Sequence, residues 1–366
     1  MKILQVVPLL GFGGVEKMLI NYFDHIDHNE IMFDFISHSD HPEEYHKKLI
    51  DSGCKIYYLK TIGKLGFSGY KKQIQDNIDI KSYDIVHVHV GHLTGVYAKV
   101  FRALGAKKII CHAHTTKCVN YKHSLAMPVL RYMANKYSDR RLACGNEAGR
   151  YCFGNGDFTI LPNGLDYKEF NDISDEKINS LKDEFGISDN DLVVGHIGHF
   201  SAQKNHKFIV DIIKQCVSEN KNLKFILVGE GPLKENIEES VKNNSNSDNV
   251  IFTGVRSDVN ALMHIFNVFI LPSLFEGLPL VGIEAQAAGT KCLFSNTIDK
   301  TVDVGAGLAI FLPIDKGACP WTDKLLQSAP TKVDAGLVFE RLVKSGYEIN
   351  HAAAKLAEFY RSTANE

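Results

Sequence analysis

Short apolar runs alternate with stretches of helical periodicity along most of the chain. In the first half the runs are Ile3–Val7, Phe33–Ser37, Lys55–Leu59, Ile85–His89, Lys108–Cys111, Arg141–Cys144 and Thr159–Leu161. They are mostly apolar and rich in β-branched residues, as in strands whose sheet is covered on both faces. Between them, Val15–Phe23, Thr94–Leu104 and Ala126–Tyr137 carry apolar residues at helical spacing. A Pro-Asn-Gly break within Pro162–Asn171 interrupts the pattern. The charged stretch Ser174–Phe185 follows and reads as a helix. The same grammar then restarts, with runs at Leu192–Ile197, Lys224–Val228, Val250–Thr253, Val268–Leu271 and Lys291–Phe294. Helical stretches follow at Asn205–Val217, Pro232–Lys242, Val259–Ile265 and Leu280–Ala288. Repeated strand–helix units predict an α/β chain with two doubly wound parallel sheets.

The break divides the chain into expected domains 1–165 and 166–345. The segment 346–366 is expected to be a terminal helix, with Ala352, Ala353, Leu356, Ala357 and Tyr360 along one face. Open α/β sheets bind ligands outside the carboxyl ends of their strands. Two such domains facing each other predict a central cleft.

With 366 residues, 45% hydrophobic and 23% charged, the composition excludes a disordered chain and supplies two cores. A net charge of -2 argues against binding nucleic acid over the whole surface. No apolar run approaches the ~20 residues that span a bilayer. Met1–Leu10 runs straight into a strand pattern, so no secretory leader and a cytoplasmic location are expected. The charge is uneven: residues 1–165 hold 21 Lys and Arg against 15 Asp and Glu. That excess fits an ordinary surface asymmetry, or contact with an anionic phospholipid surface or a phosphorylated acceptor. The eight cysteines form no C-x-x-C pair. Cys111 and Cys118 flank a His-rich stretch but match no finger or ribbon spacing, so reduced, scattered thiols are expected.

Four segments carry candidate chemistry. Gly11-Phe12-Gly13-Gly14 follows the first strand and opens the first helix, where bare backbone lets amides approach an anion. Glu16 breaks the G-x-G-x-x-G fingerprint, and a tight turn needs only one of these glycines. His112 and His114 alternate at the end of a strand and fall on one side of it, as ligand, base or packed histidine. His87 and His89 lie deeper in their strand and read as packing residues. Lys204 follows the strand that ends near Gly198 and is placed to neutralise a phosphate, although alone it could be any surface lysine. In Leu271–Ala285 an apolar strand ends, a loop carries Glu276, and Pro279 marks a helix start. Free amides around Gly277 to Val281, among them those of Leu278 and Leu280 but not of Pro279, which has no N–H, are then available to a phosphate. Glu284, one turn in, can accept hydrogen bonds from a vicinal diol. Asp189-Asn190-Asp191 imitates a D-x-D metal motif, but its Ser-Asp-Asn-Asp setting is a turn, and no bound metal is expected.

Taken together these residues resemble the GT-B-fold glycosyltransferases of family 4. The match rests on Gly13-Gly14, His114-Thr115, Pro162-Asn163-Gly164 with Asp166 and Phe170, Val228-Gly229 with Gly231-Pro232, and above all the pair Glu276 and Glu284. The resemblance implies two Rossmann-like domains facing a central cleft, with the terminal helix crossing back to the first domain. It implies a retaining, metal-independent hexosyltransferase that needs no cofactor and uses a nucleotide-diphosphate sugar, UDP-linked by expectation. The second domain would bind the donor and the first a glycan or lipid-linked acceptor. The sequence around Gln203–His206 looks like enzymes of bacterial exopolysaccharide and capsule assembly.

The resemblance also assigns roles. Lys204, the amides at Gly277–Leu280 and the Gly13–Gly14 loop would stabilise the departing diphosphate. Glu276 would orient the donor sugar, Glu284 would hold the ribose, and His114 would contact the donor sugar. The base would be read near Gly254–Arg256. One position departs from the family: where an Arg typically follows the glycine after the first donor-domain strand, His199 follows Gly198. A short, largely neutral histidine would weaken the clamp. The rival readings are an impaired member that binds sugar nucleotide or glycan without efficient transfer, and a dinucleotide oxidoreductase.

Overall fold

In a computed structural model the described residues are 1–11, 14–39, 45–116, 121–219, 222–244, 247–328 and 333–366. They form two compact units, Met1–Leu165 with Gly346–Glu366, and Asp166–Ser345.

The first unit holds seven parallel strands: β1 (Lys2–Val7), β2 (Met32–Ser37), β3 (Ile56–Tyr58), β4 (Ile85–Val88), β5 (Lys108–Ala113), β6 (Arg140–Ala143) and β7 (Thr159–Ile160). Their order is β3-β2-β1-β4-β5-β6-β7. The sheet therefore switches direction between β1 and β4, with Gln5 in register with His87. Apolar side chains of β1, β2 and β4 pack under the helices Gly14–His25 and Ile349–Asn365. The second unit holds β8 (Leu192–Ile197), β9 (Leu223–Val228), β10 (Val250–Gly254), β11 (Val268–Leu271), β12 (Lys291–Ser295) and β13 (Ala309–Leu312), in the order β10-β9-β8-β11-β12-β13. Its switch point lies between β8 and β11. Trp321 is fully buried in this core, its indole N–H donating to the Pro313 carbonyl at 2.9 Å.

Twelve of the strands begin or end within a few residues of the apolar runs. Strand β13 is not among the expected runs: the apolar stretch Leu308–Leu312 is there, but Gly305, Gly307 and Pro313 frame it with turn residues. The charged segment is the helix Asp175–Glu184, capped by Ser174, whose Oγ accepts from the Lys177 N–H. The helix Ile349–Asn365 starts at Glu348, whose carboxylate accepts from the backbone N–H of Asn350 and His351. It buries Ala352, Ala353, Leu356 and Tyr360 in the first unit's core. A short parallel bridge between Leu165 and Glu348 closes that unit around the departure and return of the chain.

Leu356 is 1% exposed among these residues. Leu356→Ala should lower stability by roughly 2–5 kcal/mol. Urea unfolding followed by circular dichroism checks this, and an unchanged midpoint would show that the helix contributes little to the core.

Candidate active site

In the second unit, the loops after β8 and β11 flank the switch point, the place where open sheets bind ligands. Lys204 closes the short 3-10 turn Ala202–Lys204 after β8, and Glu276 lies between β11 and the helix Leu280–Ala287. The Lys204 ammonium lies 2.7 Å from Glu276 Oε1, and the Gln203 amide donates to Glu276 Oε2 at 3.0 Å. Both charged side chains are largely buried, with 16% and 7% of their surface exposed. Two further bonds staple the loops together. Leu274 N–H donates to the Gln203 carbonyl at 2.8 Å, and the Asn205 side-chain amide donates to the Pro272 carbonyl at 3.1 Å. Asn205 is left-handed, with φ 58° and ψ 43°, a conformation asparagine tolerates.

The loop after β9 supports this assembly by backbone alone. Gly229, at φ 136°, sits where a Cβ would fall 2.2 Å from the Gly198 carbonyl oxygen. A Cβ on Gly231, at φ 156°, would meet the backbone of Phe200. The Phe200 N–H donates to the Glu230 carbonyl at 2.9 Å, and the Leu233 N–H to the Phe200 carbonyl at 3.1 Å. The Lys204 stem crosses Gly198, where a Cβ would stand 3.2 Å from its Cδ. His199 projects from this ledge and is exposed.

The helix Leu280–Ala287 starts at Pro279, which gives its first turn no side-chain cap. Glu284 is half-buried on it. Arg256 is committed elsewhere: its guanidinium binds Glu184 at 2.7 Å and Asp258 at 2.8 Å, which ties the helix Asp175–Glu184 to the β10 loop. These bonds, to Asp258 first, raise the Arg256 pKa further, and Arg256 in turn holds the Asp258 carboxyl down at about 2.

In the first unit, four histidines from β4, β5 and the ends of these strands form one buried layer. The ring centroids of His112 and His114 are 4.0 Å apart, as are those of His87 and His89. His89 Nδ1 lies 3.0 Å from His114 Nε2, and His89 Nε2 lies 2.9 Å from Gln5 Oε1. Tyr360 Oη meets both Gln5 Nε2, at 3.0 Å, and His87 Nδ1, at 2.8 Å. Burial drives the pKa of His87, His89 and His112 well below the usual histidine value and that of His114 down to about 3. The layer is therefore uncharged near neutral pH.

His87, His89 and His112 bring ring nitrogens within 4.8 Å of one another. A tetrahedral ion bonded at ~2.0–2.1 Å spaces its ligand nitrogens about 3.4 Å apart. Here His87 and His112 stack at an interplanar angle of 1°, and both nitrogens of His89 are already hydrogen-bonded. His87, His89 and His114 are tied by hydrogen bonds through Gln5 and Tyr360, and His112 stacks on His87, so the rings are not arranged around a common centre. Gly14 begins the helix Gly14–His25 and is exposed, whereas Gly13 and Cys118 lie outside the described residues.

The structure thus joins Lys204 and Glu276, two residues the sequence offered separately, and adds Gln203 and Asn205. It also adds Gln5, for which the sequence held a signal: a lone amide inside the apolar strand Ile3–Val7.

The family model described as "Glycosyl transferases group 1" matches residues 177–304. A putative glycosyltransferase of Bacillus subtilis (strain 168), EpsF, is 29% identical over 98% of this chain and 96% of its own. The UDP-Gal:alpha-D-GlcNAc-diphosphoundecaprenol alpha-1,3-galactosyltransferase of Escherichia coli is 24% identical over 80% of this chain and 78% of its own. The crystal structure of Anabaena Alr3699/HepE in complex with UDP-glucose superposes with a TM-score of 0.79 at 17% identity, covering 99% of this chain and 100% of that one. The fold is GT-B. Residues 177–304 thus carry the group 1 glycosyltransferase pattern, and over nearly its whole length the chain is similar to a putative glycosyltransferase.

The buried histidines make a pH prediction. Their folded pKa values lie below the unfolded value of about 6.5, so the unfolded state binds more protons as pH falls past that point. Stability should hold above about pH 6.5 and then drop, each ring contributing up to about 1.4 kcal/mol per pH unit. Melting followed from about pH 7.5 to about pH 5 should show this. His112→Phe, which removes two unpartnered buried nitrogens, should flatten the decline. A pH-independent midpoint would contradict it.

Proposed function

We propose that the chain transfers a hexose, with retention of anomeric configuration, from a UDP-sugar to a glycan or lipid-linked acceptor in bacterial surface polysaccharide assembly. The observation that carries this reading is the Lys204–Glu276–Gln203 assembly at the switch point of the second sheet. The relatives support it: one is named for a UDP-galactose donor and a diphosphoundecaprenol-linked sugar, and a structural neighbour holds UDP-glucose.

Breaking the sugar–phosphate C–O bond leaves negative charge on the diphosphate, and the protein must stabilise that charge. Lys204 is a fixed cation whose three N–H groups can bind Glu276 and a phosphate oxygen together. The first turn of the helix Leu280–Ala287 adds amides. In this scheme the diphosphate needs no divalent metal. Glu276, oriented by Gln203, holds sugar hydroxyls, and Glu284 holds the ribose. The base is read near Gly254–Arg256. His114 is neutral and contacts a sugar hydroxyl, while the departing phosphate oxygen takes the acceptor proton.

Transfer assayed against a panel of nucleotide sugars should give turnover with a UDP-sugar, unchanged by added magnesium, and a product of the donor's anomeric configuration. Glu284→Ala should weaken UDP binding by about 1.5–3 kcal/mol. Tight UDP binding without turnover would favour the impaired-enzyme reading that His199 raises. Failure to bind UDP would end the proposal.

We further propose that the first unit meets an anionic membrane. Leu125, Val129 and Tyr132 are 67%, 60% and 59% exposed on the helix Tyr121–Tyr137, and their spacing sets them on one face. Lys136 lies over the rings of Tyr132 and Tyr137 beside them. An apolar stripe with a cation at its edge suits an anionic interface. Binding to anionic liposomes should weaken as salt shortens the screening length, ~10 Å at 0.1 M, and should fall in Leu125→Ser with Val129→Ser. Equal binding by that variant, or none at low salt, would refute it.

A further inference from the structure

We infer that Gln5, His89 and Tyr360 are positioning residues that hold His114 in one tautomer, with its proton on Nε2 and a bare lone pair on Nδ1. The ligand group His114 can then recognise is a hydrogen donor, a hydroxyl or N–H, and not a phosphate oxygen.

One chain of hydrogen bonds links these residues. Gln5 is fully buried, and its carboxamide has one donating and one accepting end. Nε2 donates to Tyr360 Oη at 3.0 Å, and Oε1 faces His89 Nε2 at 2.9 Å. An amide oxygen only accepts, so His89 carries its proton on Nε2. A neutral imidazole has one N–H, so His89 Nδ1 is a lone pair. His114 Nε2 stands 3.0 Å from that lone pair. Two lone pairs at this distance repel, so His114 donates there and keeps no proton on Nδ1. Tyr360 Oη, accepting from Gln5, spends its own proton on His87 Nδ1 at 2.8 Å. Turning the carboxamide over would require the protons on His87, Tyr360, His89 and His114 all to move.

His114 Nδ1 is buried and has no hydrogen-bond partner among the described residues. A buried acceptor left unpaired is costly, and a ligand hydroxyl removes that cost. The burial that holds the His114 pKa near 3 keeps the ring from acting as a phosphate-binding cation. The identity of the hydroxyl as a sugar's rests on the glycosyl-transfer reading. The tautomer does not.

Long-range proton–nitrogen correlation spectra of the full chain, labelled at histidine nitrogens, read the tautomer directly, with His114→Gln identifying the His114 signals. The wild type should show Nε2 protonated and Nδ1 bare. Gln5→Leu, checked for folding by circular dichroism, should mix the tautomers and lower kcat roughly 10–100-fold with donor KM unchanged. Gln5→Glu removes the donor to Tyr360 and places a buried carboxylate against His89, which favours a second proton there and a donating Nδ1, so it should shift the His114 proton to Nδ1 and leave kcat low. A wild-type His114 protonated on Nδ1 would overturn the inference. So would a folded Gln5→Leu with wild-type spectrum and kcat. If the wild type turns over no donor, the glycosyl-transfer reading fails while the spectrum still decides this one.

Discussion

A lysine and a glutamate, drawn from two loops and held 2.7 Å apart with little solvent around them, fix the geometry of the second unit's candidate site. Taking both charges out of water is costly, and only a well-oriented pair with its remaining lone pairs satisfied offsets that cost. Gln203 supplies the missing donor, the left-handed Asn205 turns the chain so that Lys204 arrives, and two glycines let the neighbouring loop lie against the backbone beneath. Each of these features would be a local defect by itself. Together they hold a cation in a set position before any anion arrives, which is the condition under which electrostatic stabilisation is most effective.

The first unit solves a related problem without charge. Four histidines, a glutamine and a tyrosine are packed so tightly that none of the rings is protonated near neutral pH. Here the information lies in which nitrogen donates and which accepts. Coulombic attraction tolerates small displacements, whereas a hydrogen-bond chain with alternating donors and acceptors does not. The two units therefore offer different kinds of recognition: a fixed cation in one, a directional neutral network in the other.

Much of this was legible in the sequence, for identifiable reasons. Buried parallel strands read as continuous apolar runs, so β1 and β8 are visible from composition alone, and Pro279 announces the helix that follows Glu276. The four-residue β13 lies in the apolar stretch Leu308–Leu312, but the glycines before it and the proline after it give the segment the look of a turn region. The residues of the charged pair were visible, but their union was not. Lys204 and Glu276 are 72 positions apart, and only the sheet order brings β8 beside β11. Arg256 shows another limit: the sequence places a basic residue after a strand, but only the structure brings Glu184 and Asp258 beside it. Gln5 was legible as an anomaly, an amide in an apolar strand, but its partner lies 355 residues away.

That last separation has a consequence for how the molecule is made. Residues 166–345 form one compact unit from a continuous stretch, whereas the first unit needs residues from both sides of that stretch. As the chain emerges from the ribosome, the second unit can reach its native contacts while the first still lacks the helix Ile349–Asn365. Domains generally fold as units during synthesis, so here the order along the chain is inverted and the unit begun first is completed last. Until Tyr360 docks, Gln5 and His87 face a core with no lid, and the histidine layer has no defined proton arrangement. Maturation of the His114 site is thus coupled to the arrival of the returning segment, and a nascent chain stalled before it would carry the lysine–glutamate pair without the histidine network.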